Sequence, residues 1–101
     1  MSKVPPLSDL MFKLEGKEYV NAFDFREAAE SGDMEAVQYL YKRNCPWNDI
    51  VSACAARGGH LLVLQWLIAR GCPWSYVGYV VANANGQTKV VEWIVKQGLR
   101  H

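Results

Sequence analysis

Cys45, Cys54, Cys72 and His60 are the residues whose types could hold a zinc ion or act as redox thiols. Their spacing argues against both. Zinc sites read from sequence use cysteine pairs about two to four residues apart, and no such pair occurs here. Cys45 and Cys72 stand 27 residues apart, each opening the tripeptide Cys-Pro-Trp. Equivalent positions of packed helical units lie ~8–10 Å apart, whereas thiolates sharing a zinc approach within ~4 Å. Three cysteines, an odd number, do not make a disulfide framework either. The expectation is reduced, buried thiols with a packing role, no metal and no cofactor.

No other constellation suggests catalysis. The second histidine is His101, far in sequence from His60. Gly58-Gly59 stands alone, and the other glycines recur at turn positions, so no phosphate-binding loop is present. No paired carboxylates stand at a fixed helical spacing around a plausible cleft. The chain reads as a non-enzyme with no catalytic residue.

The elements that position these residues come from a repeat. Residues 21–47 laid over 48–74 share ten identities: Asn21/Asn48, Ala28/Ala55, Ala29/Ala56, Gly32/Gly59, Gln38/Gln65, Leu40/Leu67, Arg43/Arg70 and the whole Cys-Pro-Trp. Residues 75–101 continue the frame with five identities to the second unit, at Ala82, Gly86, Val90, Trp93 and Gly98. Each unit reads as two helices. Asn21, Asn48 and Ser75 are N-caps of the first helix, which runs to about Ala29, Ala56 and Asn83. Gly32, Gly59 and Gly86 make the turn. The second helix spans about 61–70 in the middle unit, with Val63, Leu64, Leu67 and Ile68 as its apolar stripe. Asn44, Gly71 and Gly98 sit at its C-terminal stop, with Pro46 and Pro73 two residues on. Asp33, His60 and Gln87 share the start of the second helix, so a helix-start role fits all three.

Three units fill 81 of the 101 residues, leaving a leader of 20. Ser8 can cap a helix from Asp9 to Leu14. Alternatively 11–14 and 17–20 form a small hairpin around Glu15-Gly16. Either form serves as an N-terminal cap, with the helix favoured. The last unit carries Thr88-Lys89 and Lys96-Gln97 where the middle one has Leu61-Leu62 and Ala69-Arg70, the polar face expected of a terminal unit in a complete array.

Composition bounds the rest. The chain is half apolar with 21% charged residues, enough for one folded domain. Eleven Lys+Arg against ten Asp+Glu leave net +1, too little to attract nucleic acid or an anionic membrane. No segment approaches the ~20 apolar residues of a membrane span, and the start MSKVPPLSDL lacks a signal-peptide run. The expected location is intracellular, cytoplasmic or nuclear.

The stretches AAESGDMEAVQYLYKRNCPW (28–47), AARGGHLLVLQWLIARGCPW (55–74) and ANANGQTKVVEWIVKQG (82–98) resemble the ankyrin repeat. The usual repeat has about 33 residues, and the span from Gly71 to Gln87 is about six shorter. Short Cys-Pro-Trp units of this kind are similar to ankyrin-type arrays of amoebae, oomycetes and large DNA viruses. The resemblance implies an all-α helical repeat stack (α-solenoid) of three helix-turn-helix repeats, 21–47, 48–74 and 75–101, with the hairpin fingers shortened or absent and an N-terminal cap, 1–20. It implies a non-catalytic protein–protein interaction module acting as a monomer or weak homo-oligomer, with a host cell as one setting.

Repeat scaffolds hold packing positions constant and vary a binding face. Trp66, Trp93 and Tyr39 share one repeat position and Trp47 and Trp74 another, so they read as an inter-unit ladder, with Trp93, partly exposed at the end, also a candidate partner contact. The expected concave first-helix face is Asp24, Glu27 and Glu30, then Val51, Cys54 and Arg57, then Gly78, Val81 and Ala84, with Tyr76 beside them. Charge runs along it, the units summing to −2, +1 and +2. The competing readings are a thiol or zinc protein, and a structural or designed scaffold without a natural partner.

Overall fold

The computed structural model describes residues 9–99, which form seven α-helices and, among these residues, no strand. They are α1 (Asp9–Glu15), α2 (Ala22–Ser31), α3 (Met34–Lys42), α4 (Asp49–Arg57), α5 (Leu61–Ala69), α6 (Tyr76–Ala84) and α7 (Thr88–Lys96). Ser8 and His101, named above, lie outside the described residues.

The caps explain the boundaries. Asn21 accepts from the Asp24 amide while Asp24 accepts from the Asn21 amide, a closed capping box. Asn48 accepts from Ile50 and Val51. Ser75 holds the same extended backbone but its hydroxyl makes no cap bond. Each first helix ends at a left-handed glycine, Gly32, Gly59 or Gly86, at φ 67–76°. The next amide then bonds a carbonyl five residues back: Asp33 to Ala28, His60 to Ala55, Gln87 to Ala82. Second helices stop the same way, with Cys45, Cys72 and Leu99 bonding Leu40, Leu67 and Ile94. Asn44, at φ 57°, does there what Gly71 and Gly98 do elsewhere.

The helices pack as three successive pairs, α2 with α3, α4 with α5 and α6 with α7. The first helices lie side by side, α2 on α4 and α4 on α6. Ala28, Ala29, Ala55, Ala56 and Ala82 are fully buried, because only a methyl fits where these helices meet. The middle helix α4 is enclosed, with Val51 through Ala56 all buried. The described chain is elongated, 47 × 26 × 21 Å.

The leader takes the helical form. Met11 and Leu14 of α1 are buried, and α1 packs on α3. The Arg43 guanidinium then donates to the carbonyls of Lys17 (3.1 Å) and Glu18 (2.9 Å), fastening the connection to the end of α3. No described helix is long and apolar enough to cross a membrane.

Leu67 is fully buried in α5. Leu67→Ala should lower unfolding free energy by roughly 2–5 kcal/mol through the cavity it leaves. Urea titration followed by circular dichroism measures it, and a loss below about half a kcal/mol would place residue 67 outside the core.

Candidate functional site

Each first helix has an inward stripe and an outward one, and the boundary falls one residue away from the expected face. Asp24, Val51 and Gly78 are equivalent and all point inward, so none of the three offers a contact surface. Asp24 is 2% exposed, because it closes the capping box and receives the Lys17 ammonium at 2.7 Å. Val51 is core. Gly78 lies beneath the Trp74 ring, and any side chain there would overlap it. Cys54 is also buried, under the Arg26 guanidinium, which corrects its assignment to the open face.

Glu27 and Val81 are half-buried in the same row as Cys54, and Glu27 pairs with Lys13 of α1 at 3.2 Å. Glu30, Arg57 and Ala84 are exposed as expected, and Glu30 and Arg57 form an ion pair at 3.1 Å between neighbouring helix pairs. Both ends of that pair are solvent-exposed, so it contributes little to stability. Tyr76 is exposed and stacks obliquely near Tyr79, ring centroids 5.6 Å apart. Trp93 is half-buried against the core.

Composition and periodicity miss an exposed apolar row. Phe23, Ile50 and Val77 are equivalent positions, 27 residues apart, and are 61%, 40% and 48% exposed. Their constant apolar class makes them look like core. The signal that separates them is their place beside the N-cap, one residue before the inward stripe begins. Arg26 lies over the Phe23 ring at 5.3 Å.

The seams between pairs are built from repeated polar contacts. His60 donates through Nε2 to the Glu30 carbonyl at 2.8 Å, and Gln87 donates to the Arg57 carbonyl at 2.8 Å. Asp33, with no helix pair before its own among the described residues, instead caps α3 through the Ala36 amide. All three stand at the N-cap of their second helix, as read from the sequence, but only Asp33 caps it with its side chain, while His60 and Gln87 reach back to the preceding pair. Trp74 Nε1 donates across the second seam to the Leu99 carbonyl at 2.6 Å, whereas Ser52 donates within its own unit to the Pro73 carbonyl at 2.6 Å. Tyr41 meets Trp66 edge-on at 5.2 Å, and Arg70 lies over Trp66 as Arg43 lies over Tyr39.

The three thiols are buried and unbridged. Cys45 donates to the Asn21 carbonyl at 3.2 Å and Cys72 to the Asn48 carbonyl at 3.6 Å, so each ties the end of its unit to the beginning. Burial pushes Cys45 up to about 11, with Asp24 adding to it, and Cys72 up to about 12. Cys54 is raised by burial and by Glu30. Such thiols are protonated at neutral pH and poor nucleophiles. Among the described residues no three His, Cys, Asp or Glu side chains converge on a point that could hold a metal.

No family model matches the chain, and no curated protein or solved structure is significantly similar to it.

Two measurements check this geometry. Ellman's reagent at mild alkaline pH should leave Cys45 and Cys72 unmodified in the folded protein and label both once it is denatured; rapid labelling while folded would contradict their burial. Acid unfolding should depend on Asp24. Burial opposes its charge, but the Lys17 ammonium and the Asn21 amide outweigh that and hold its carboxyl below the ordinary aspartate value. A depressed native pKa gives stability that is present above the unfolded pKa and lost as pH falls through the native one. Asp24→Asn should therefore lose stability at neutral pH and show a flatter decline below pH about 4.

Proposed function

We propose that this chain is a non-catalytic protein-interaction module. Three ankyrin-like helix-turn-helix units, 21–47, 48–74 and 75–101, stack as an α-solenoid and bind a protein partner through the open face of their first helices. The ankyrin-like part rests on the residue patterns of the three units, and the succession of helix pairs agrees with it. The binding part rests on one observation: Phe23, Ile50 and Val77 are exposed at the same position of three consecutive helix pairs. An apolar row presented to water at every period is not needed for packing, and rows of that kind mark contact surfaces. Glu30, Arg57 and Ala84 border it on the same helices, and Tyr76 extends it at the far end. A partner that fits presents an apolar ridge along the row and polar groups toward Glu30 and Arg57. Because the hairpin connections are short, the helices themselves make the contact. Reduced thiols suit the cytoplasm or nucleus, where this reading places the chain.

The thiol and zinc reading is weaker. Cys45 and Cys72 spend their protons on backbone carbonyls of their own units, which is packing.

Partners captured from a cell lysate should be tested against two variants. Ile50→Asp with Val77→Asp should weaken binding at least tenfold, about 1.4 kcal/mol. Glu27→Lys with Arg57→Glu should slow association by reversing the local field. Both should keep a native circular dichroism spectrum. Unchanged affinity in both folded variants would remove the first-helix face as the binding surface.

A further inference from the structure

Helices α6 and α7 present half of an inter-pair interface that no described residue covers. Ala53 is 5% exposed beneath α6, whereas its equivalent Val80 is 43% exposed. Ala56 is fully buried and its equivalent Asn83 is exposed. A Cβ on Gly32 or Gly59 would strike the side chain of His60 or Gln87 from the following pair, whereas a Cβ on Gly86 would meet nothing within 4 Å. The second helices repeat the contrast. Gln38, Tyr41 and Lys42 line a cleft that Trp66 and Arg70 close from the next pair. Two periods on, the equivalent Glu92, Val95 and Lys96 line, with Val91, a shallow groove with no helix across it.

We propose that a second copy of this chain covers this face, giving a closed two-fold dimer through α6 and α7. The surface continues the α2–α4 and α4–α6 interfaces, so an apolar helical face is what it is shaped to meet. Its charges complement themselves. In an antiparallel pairing of α7 centred near residue 94, Glu92 of one copy falls opposite Lys96 of the other, and the reverse. An isologous interface requires such self-complementarity. The other end of the row cannot accept this face, because α1 lies there with Met11 and Leu14 buried and Lys17 held on Asp24. Head-to-tail growth would have to displace α1, so the association closes at two. Phe23, Ile50 and Glu30 take no part, so this proposal and the partner-binding reading fail separately.

Sedimentation equilibrium of the 101-residue chain over a wide concentration range tests it. The expected mass rises from 11.4 kDa to a plateau at about twice that value. Val95→Lys places a charge in the seam at an exposed position, and should hold the mass at that of one chain while keeping the parent's circular dichroism spectrum and, at dilutions where the parent is also a single chain, its melting temperature. Glu92→Lys should weaken association roughly tenfold, and adding Lys96→Glu should restore it by exchanging the pair. A mass of one chain at every concentration overturns the proposal and leaves the face to a foreign partner. A mass that climbs without a plateau overturns closure in favour of open stacking. A dimer indifferent to all these substitutions places the contact elsewhere.

Discussion

The row of helix pairs depends on one backbone position, the left-handed glycine between first and second helix. At Gly32 and Gly59 the positive φ reverses the chain within two residues, which sets the two helices of a pair antiparallel. The missing side chain matters equally. His60 lies in the space a Cβ on Gly32 would fill, and Gln87 in the space beside Gly59. From there each donates to the last carbonyls of the preceding first helix, at Glu30 and Arg57. One residue type thus makes the turn inside a pair and the notch between pairs. Those carbonyls are among the groups a helix end leaves unsatisfied, so the seam supplies a bond that the helix cannot make for itself.

From this constraint the other contacts follow in register. With neighbouring first helices docked at the turn, Ala28-Ala29 and Ala55-Ala56 set the distance of approach along their length. The Cys-Pro-Trp connection then runs across the far ends. Its cysteine bonds the N-cap carbonyl of its own unit, and in the second unit its tryptophan lies on Gly78 of the next. The thiols accordingly belong to the packing, and their elevated pKa values follow from that enclosure.

The helices, their turns and their caps were legible because each is fixed by local chemistry. Asn and Gly at set positions dictate the backbone whatever lies nearby. The exposed face was less legible. The stripe Asp24, Glu27, Glu30 advances three residues at a time, and on a helix of 3.6 residues per turn each step drifts by about 60°. It therefore starts in the core and ends in solvent. Asp24 also deceives by its charge, since its burial depends on Lys17, a residue of the leader that no repeat arithmetic connects to it. The row of Phe23, Ile50 and Val77 was hidden by the opposite error. A constant apolar class normally signals core, and only the position of neighbouring helices shows that the described residues leave it open to solvent here.

Repetition makes the two ends of the row more informative than its middle. In α4 nearly every side chain from Val51 to Ala56 is enclosed, so residue type there reports packing alone. At the ends the same positions are released from that duty, and their identities can answer to something else. At the first pair the change is Asp33, which caps its own helix where His60 and Gln87 link to a predecessor, and Lys13 and Lys17, which bring α1 and its connection onto Glu27 and Asp24. Those substitutions close the end. At the last pair Ala56 gives way to Asn83, which is polar, but Ala53 gives way to Val80, which is larger and still apolar, and Ile68 to Val95. A face meant only for water would lose its apolar side chains at all of these positions. Retaining Val80 and Val95 beside Glu92 and Lys96 gives α6 and α7 the composition of an interface, an apolar centre with charges at its rim.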